Sequence, residues 1–151
     1  MKSIISKTMA LLAVCTALFS FSTKPGGEGF EIYVNNKVMI QKFGNEINTV
    51  QSLQLDQSLS NAQITIKYHH CGKVGKNRIV TIKDGQNKIL KEFRYADVAT
   101  PVAAMALNVK DILNLKKINS PLLKLYYSST ELTKERLLTT IVTTTASTAN
   151  P

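Results

Sequence analysis

The segment Gln63–His70, which reads QITIKYHH, decides the fold of this chain. Apolar or aromatic side chains alternate with polar ones, which is the period of a β-strand with one buried and one solvated face. We predict that a strand buries every second side chain here and exposes the others. The predicted inward set is Ile64, Ile66, Tyr68 and His70, and the outward set is Thr65, Lys67, His69 and Cys71.

The same alternation on the N-terminal side of this strand predicts a β-hairpin. Apolar side chains alternate on both sides of Asn35-Asn36-Lys37, and asparagine tolerates the positive φ angles of tight turns. A three-residue loop pairs Val34 with Val38 and Ile32 with Ile40, which places apolar side chains opposite each other. A two-residue loop matches these faces less well. We therefore predict the three-residue loop.

Five more segments carry strand patterns, and two of them form a second hairpin. This hairpin turns at Asp84-Gly85-Gln86-Asn87, where turn-forming residues separate two alternating runs. The resulting total of about seven to nine short strands predicts an all-β protein, an antiparallel β-sandwich of two stacked sheets. The five segments are Gln51–Leu55, Asn77–Lys83, Lys88–Tyr95, Leu122–Ser128 and Arg136–Thr143.

One stretch fits two structures. Thr100-Pro101 resembles the start of a helix, and apolar residues follow it at helical spacing. Alternatively, the alternation in Met105–Val109 predicts a strand, and a short helical turn begins at Asn108 or Asp111. We favour the strand with the turn because the neighbouring segments are β-like. The chain then has one short helix within residues 100–117.

A secretory signal peptide is predicted at residues 1–22. Lys2 and Lys7 precede a largely apolar run, Thr8–Phe21. This run of about 14 residues is shorter than the roughly 20 that span a membrane. Small residues then favour cleavage after Ser22. We therefore predict an exported protein of the periplasm, the cell surface or the extracellular space.

Two other processing sites compete with this one. Cys15-Thr16-Ala17 also offers small residues to a signal peptidase, and Leu12-Ala13-Val14-Cys15 resembles a lipobox, in which Cys15 would carry a lipid anchor. Val14 stands where lipoboxes usually have Gly, Ala or Ser, so we favour removal of the whole leader. No second apolar stretch of membrane length follows, so no transmembrane span is predicted in the mature chain.

Removal of the leader defines the predicted domain organisation. Residues 23–28 contain a proline and two glycines and form a flexible linker, and residues 29–143 form a single β-sandwich domain. Residues 144–151 are small and polar without apolar spacing, so we predict a disordered tail. Only Cys71 remains as a thiol, so the domain has no internal disulfide and depends on an ordinary apolar core. No cofactor is predicted.

The charge balance points weakly to acidic partners. The 151-residue chain carries a formal charge of +9, and loss of Lys2 and Lys7 with the leader leaves +7 (+9 minus 2). A positive surface attracts polyanions such as acidic polysaccharides. The lysines are spread along the chain rather than clustered, and no nucleic acid is expected as a partner. The predicted partners are therefore an anionic glycan or another envelope protein.

His69-His70-Cys71 holds both histidines and the one mature cysteine. If the strand continues to Cys71, its thiol and His69 project from the same face and can start a zinc or copper site. A closed zinc site needs four ligands, however, and no other His or Cys exists in the mature chain. A Cys-His nucleophile pair also lacks an orienting third group. We favour a structural interpretation in which His70 is partly buried and the other two residues lie at the surface.

The basic turn that follows offers a candidate anion site. Lys73, Lys76 and Arg78 lie close together in sequence, and the backbone N–H groups of Gly72 and Gly75 can assist them. Such a group suits a phosphate, a sulfate or a uronate. The turn is not a nucleotide-binding loop, because a histidine stands where the first glycine should be and no Ser or Thr follows Lys76.

Neither a nucleophile elbow nor a metalloprotease motif occurs in the sequence, so we predict that the protein is not an enzyme. We predict a non-catalytic binding or structural module of the cell envelope, which engages a glycan, a peptide or an envelope partner. The alternative is a small metal-binding or Cys/His-based protein centred on His69, His70 and Cys71. Exposed aromatic side chains can stack on sugar rings; the candidates are Tyr33, Tyr126 and one of Phe93 or Tyr95.

The predicted leader cleavage gives a first testable prediction. We expect the exported protein to begin at Thr23, and its intact mass measures this directly. A Cys15→Ser variant should be processed and released in the same way, because that residue leaves with the leader. A mature protein that begins at a lipid-modified Cys15 would contradict this prediction.

Overall fold

The computed structural model describes residues 27–115 and 122–143. The predicted leader at residues 1–22 and the predicted tail at residues 144–151 lie outside the described residues. Nine strands and one short α-helix occupy the described part of the chain. They are β1 (Glu28–Val34), β2 (Lys37–Phe43), β3 (Gln51–Leu55), β4 (Gln63–His70), β5 (Arg78–Asp84), β6 (Ile89–Tyr95), β7 (Ala104–Asn108), α1 (Val109–Asn114), β8 (Leu122–Ser128) and β9 (Arg136–Thr143).

The strands form two sheets, and the predicted β-sandwich is confirmed. The four-stranded sheet has the order β2-β1-β4-β7, and the five-stranded sheet has the order β3-β9-β8-β5-β6. Every pair is antiparallel except β3 with β9, which runs parallel. This pair departs from the predicted antiparallel arrangement. The chain leaves the first sheet after β2 and enters the second sheet at its edge as β3. No hairpin joins β3 to β9, so the path of the chain sets the direction of β3.

The core lies between the two sheets and is built from the inward faces that the alternation predicts. Ile64 and Ile66 of β4 are fully buried, as are Val80 and Ile82 of β5 in the opposite sheet. Complete burial of one such aliphatic side chain contributes about 1.5–3 kcal/mol to folding. Strand β4 lies between β1 and β7, and all four of its inward side chains are buried: Ile64, Ile66, Tyr68 and His70.

The stretch with two candidate structures folds as a strand followed by a helix, as predicted. Met105 and Leu107 of β7 face the core, and α1 then buries Val109, Ile112 and Leu113 at helical spacing. The helix begins directly after Asn108. Within the two described ranges, no helix is both long enough and apolar enough to span a membrane.

The turn of the first hairpin corrects the prediction. The loop has two residues, Asn35 and Asn36, with φ of 48° and 66°. Val34 pairs with Lys37 rather than Val38, so the predicted three-residue loop is wrong. Positive φ at both central residues gives a turn whose twist matches that of the strands. The predicted pairing of Ile32 with Ile40 still holds.

A β-bulge reconciles the short loop with the apolar pairing. The register shifts between Ile32 and Tyr33, whose partners are Ile40 and Val38. Met39 is therefore the extra residue, and it is exposed. One added residue places Ile40 on the buried face opposite Ile32, because the side-chain period of a strand is two. The sequence pattern predicted the pairing of Ile32 with Ile40 but not the bulge that allows it.

The left-handed conformation of Asn36 gives a stability prediction. We expect Asn36→Ala to lower the free energy of unfolding by about 1 kcal/mol, because alanine is disfavoured at positive φ. The matched variant Asn36→Gly should stay within about 0.5 kcal/mol of the parent, since glycine adopts this conformation without steric cost. Chemical denaturation measures both. Equal stability of the alanine variant and the parent would show that the turn is not formed this way.

Candidate functional site

Strand β4 ends at His70. The predicted metal or nucleophile cluster of His69, His70 and Cys71 is therefore divided between the strand and the turn that follows it. Cys71 has φ of 53° and Gly72 has φ of 84°, and the N–H of Lys73 donates to the carbonyl of His70 at 3.1 Å. The chain therefore turns immediately after His70. The Cys71 side chain is exposed and does not continue the outward face of the strand on which His69 lies.

His70 points into the sandwich and is 6% exposed. Its Nε2 atom lies 3.0 Å from the Tyr127 hydroxyl of β8, which forms a hydrogen bond between the two sheets. Tyr68 stacks on Tyr127 with 4.4 Å between ring centroids. Gly75 packs directly against this pair. A Cβ atom there would lie 2.7 Å from His70 Nε2 and 3.2 Å from the Tyr127 hydroxyl. Any larger residue would displace the imidazole.

The surroundings of His70 favour its neutral form. Burial lowers the pKa of His70 below its ordinary value of 6.5, and the nearby positive charge of Arg78 acts in the same direction. The carboxylates of Glu131 and Glu28 oppose this shift. Burial also raises the pKa of Tyr127 to about 12. The pair is therefore an uncharged hydrogen bond at neutral pH.

A second polar cluster joins the sheets beside this pair. The Tyr68 hydroxyl donates to the Glu28 carboxylate. Arg136 of β9 donates from Nε to the Tyr68 hydroxyl at 2.8 Å and from Nη2 to Glu28 at 3.0 Å. Its third contact is with Asn48 Oδ1 at 3.1 Å. Burial and the hydrogen bond to Glu28 raise the pKa of Tyr68 well above its ordinary range. Arg136 thus connects the start of β9 with β1 and β4.

An open groove, the end groove, lies over these two clusters and has a volume of about 300 Å³. A second groove of about 320 Å³ shares Leu132, Thr133 and Arg136 with it. The walls of the end groove carry two carboxylates and two basic side chains, so their charges balance. Its lining residues are Glu28, His70, Cys71, Lys73, Glu131, Leu132, Thr133 and Arg136.

The structure does not bring the three predicted anion-binding residues together. Lys73 and Lys76 are exposed, and the backbone N–H of Lys76 donates to the Glu131 carboxylate at 2.9 Å. Although burial acts in the opposite direction, this N–H group helps to lower the pKa of Glu131. Arg78 instead points into the protein, where its guanidinium donates to the carbonyls of Ala96 and Ala103.

The described residues also show no gathered metal ligands. Within residues 27–115 and 122–143, no three His, Cys, Asp or Glu side chains form a group that could hold a metal ion. His69 lies 3.9 Å from Glu31 Oε2 on the outward face of the four-stranded sheet, while His70 faces the opposite way. Neighbouring residues on a strand point to opposite faces, so this pair of histidines diverges.

The outward face of the four-stranded sheet combines aromatic and polar side chains. Cross-strand pairing places Phe43 of β2, Gly29 of β1 and His69 of β4 in one row. The Phe43 ring occupies the space above Gly29, since a Cβ atom there would lie 2.1 Å from the ring. The Phe43 and His69 rings meet edge to face, with 5.1 Å between centroids. Both rings remain partly exposed.

The next rows of this face are polar and then aromatic. The row Gln41–Glu31–Lys67 follows, with Gln41 Nε2 donating to Glu31 at 3.4 Å. The hydroxyl of Tyr33, one position further along the face, donates to Glu31 at 2.7 Å, and this bond raises the pKa of Tyr33. Lys67 Nζ lies 4.9 Å from the centre of the Tyr33 ring. We call Glu31, Tyr33, Gln41, Phe43, Lys67 and His69 the platform.

In the described part of the chain, none of the other aromatic candidates contacts a second ring. Lys83 Nζ lies 4.6 Å from the ring centre of Tyr126 on the outward face of the five-stranded sheet. Lys91 lies 4.8 Å from the ring centre of Phe93. The Tyr95 hydroxyl donates to the carbonyl of Ala106 at 2.9 Å. The platform, with two aromatic rings and a histidine, was not recognised from the sequence, although alternation along β1 and β4 marks its members as outward.

Two comparisons of the sequence with known proteins find no relative. The sequence matches no protein-family model, and a search of curated proteins finds no significantly similar sequence. Any functional assignment therefore depends on the chain's own geometry.

The buried His70 predicts how stability depends on pH. Because the folded protein holds the pKa of His70 below 6.5, the unfolded chain binds more protons at mildly acidic pH. Stability should be complete above about pH 6.5 and fall as the pH decreases below it. Urea denaturation at pH 7.5 and pH 5.5 measures this change.

Two variants identify the titrating group. His70→Gln, which keeps a hydrogen-bonding side chain beside Tyr127, should reduce the difference between the two pH values. The control His69→Gln should leave the difference in place, because it retains the buried imidazole. An unchanged difference in His70→Gln would assign the pH dependence to other groups.

Proposed function

We propose that the protein is an exported, non-catalytic envelope protein that binds a glycan on the platform. The observation that carries the proposal is the Phe43 ring seated over Gly29, with Tyr33 on the same face. An aromatic ring held against a sheet offers its surface to the C–H face of a sugar. The absence of a side chain at Gly29 is what allows the ring to lie there.

The spacing of the platform suits a chain of several sugars. Gly29, under the Phe43 ring, and Tyr33 are four residues apart on β1, which corresponds to about 13 Å of strand. Between the two rings, Glu31, Gln41 and Lys67 offer a carboxylate, an amide and an ammonium group. These groups can donate to and accept from sugar hydroxyls. Stacking at both ends with hydrogen bonding in the middle favours an oligosaccharide over a single sugar.

The charge of the platform favours a neutral glycan. Glu31 and Lys67 balance each other, and the end groove carries balanced charges as well. The net positive charge of the chain attracts acidic polymers only in a general way. An anionic glycan, the partner expected from composition, is therefore the second choice. A peptide ligand lacks the repeated ring faces that the two aromatic side chains fit.

Export and the lack of catalysis are supported by different observations. The N-terminal pattern at residues 1–22 is that of a signal peptide. The imidazole of His70 is hydrogen-bonded inside the sandwich, whereas the Cys71 thiol lies outside at a turn. A nucleophile and its base need mutual contact, and no hydrogen bond joins these two groups in the described part of the chain.

Glycan titrations followed by NMR and calorimetry test the proposal. We expect a neutral oligosaccharide to shift the amide signals of Gly29, Phe43 and His69 most strongly. Phe43→Leu should weaken binding about fivefold to tenfold, since leucine still covers Gly29 but has no aromatic face. The matched control Tyr126→Leu removes an aromatic ring from the other sheet and should leave the affinity unchanged.

The contrary outcomes are distinct. Equal affinity of Phe43→Leu and the parent, or signal shifts confined to the end groove, would refute the platform as the binding surface. Preference for an acidic oligosaccharide would favour the anionic alternative. Stoichiometric binding of zinc or copper that is lost in Cys71→Ala would favour the alternative function centred on His69, His70 and Cys71.

A further inference from the structure

Glu46 is the one acidic side chain without a partner in the described part of the chain. All ten Asp and Glu residues fall within residues 27–115 and 122–143. Of Glu46, only the backbone carbonyl is engaged there, by Thr49. The others all have a side-chain hydrogen bond or an ion pair; they are Glu28, Glu31, Asp56, Asp84, Glu92, Asp97, Asp111, Glu131 and Glu135. The carboxylate of Glu46 is therefore free to bind a cation.

An open groove, the edge groove, lies beside this carboxylate and has a volume of about 390 Å³. Gln41 and Phe43 of β2, the edge strand of the four-stranded sheet, form one part of its lining. Gly44 and Glu46 form the rest and belong to a 3₁₀ helix, Gly44–Asn48, that directly follows β2. Small-molecule sites have volumes of about 300–1,000 Å³, so the edge groove can hold one sugar unit.

Gly44 keeps one wall of the edge groove open. It has φ of 54°, and no atom beyond its chain neighbours lies within 4 Å of the position that a Cβ would take. A ligand can therefore approach the backbone between Phe43 and Glu46 without meeting a side chain.

The edge groove carries one negative charge and no positive charge. Glu46 is exposed, and among the described residues that line the groove it is the only ionisable one. Lys42 lies between Gln41 and Phe43 in sequence but does not line the groove. Opposite charges attract even at an exposed site, although solvent and salt weaken the attraction. The edge groove therefore favours an occupant with one positive charge.

The edge groove continues the platform. Gln41 and Phe43 belong to both, so a sugar that stacks on the Phe43 ring has its neighbouring unit at the edge groove. The charges of Glu31 and Lys67 balance on the platform itself. The units that lie there are therefore neutral, and the positive charge belongs to the unit at the edge of the sheet.

We propose that the edge groove binds an amino sugar, whose protonated amine pairs with Glu46, at one end of an otherwise neutral oligosaccharide. The inference rests on the proposed function, because the platform holds the remaining sugar units. An ammonium group has three donors, which suit the carboxylate of Glu46 and the amide oxygen of Gln41. The Phe43 ring also attracts a cation. An N-acetylated unit lacks the charge and leaves the carboxylate unpaired.

Calorimetry with matched trisaccharides at pH 6.5 tests the proposal. One probe is the trisaccharide of N-acetylglucosamine, and the others are its two isomers with a single free amine on a terminal unit. We expect the parent to bind one isomer about threefold to fivefold more tightly than the neutral trisaccharide, the size of effect that an exposed ion pair gives. High salt should remove this difference.

Two variants assign the difference to one carboxylate. Glu46→Gln keeps the size of the side chain but not its charge. It should bind all three probes equally and should bind the neutral trisaccharide as tightly as the parent does, which also shows that the variant is folded. The matched control Glu92→Gln removes a carboxylate from the other sheet and should retain the difference.

The results that contradict the inference differ from those that contradict the proposed function. Equal binding of all three probes by the parent would overturn the amino-sugar site but leave the platform. A difference that persists in Glu46→Gln would also overturn it. Displacement of the amine-bearing probe by an equal concentration of trilysine would assign the groove to a basic peptide instead. Failure of the parent to bind any of the probes would refute the proposed function and the inference together.

Discussion

The burial of one face of β4 is the constraint on which the rest of the structure depends. Ile64 and Ile66 supply apolar area in the middle of the core, while the last inward residues, Tyr68 and His70, bring polar atoms into it. A buried polar atom without a partner costs folding free energy. The opposite sheet meets this requirement through Tyr127 and Arg136.

The same strand links the interior to the surface proposed for binding. Alternation sends Lys67 and His69 to the platform, whereas Tyr68 and His70, their neighbours in sequence, fix the strand from beneath. Two members of the platform therefore lie on a strand whose position is set by core packing and by hydrogen bonds between the sheets. Such support limits the movement of the His69 ring, against which the Phe43 ring packs, and a ligand would meet an arranged surface.

Much of the fold could be predicted because strand periodicity is a local property. The bounds of β3, β4, β8 and β9 follow from alternation and turn residues alone. Arg78 shows what was missed: it was assigned to the basic turn with Lys73 and Lys76, yet it shares its strand phase with Val80 and Ile82. Its inward direction could therefore have been predicted from the side-chain period of β5. The contact of Arg136 with Glu28 could not have been predicted in this way, because the two residues are 108 positions apart in sequence.

The amino-acid sequence by itself determined the all-β class, the position of most strands and which side chains each strand buries, because these depend on neighbours two residues apart. Only the tertiary structure decided the two-residue turn with its bulge, the parallel pairing of β3 with β9, the hydrogen bonds between the sheets and the lack of a partner for Glu46 among the described residues. Each of these depends on where distant segments meet. Periodicity carries no information about that, since it specifies a face but not the partner that covers it.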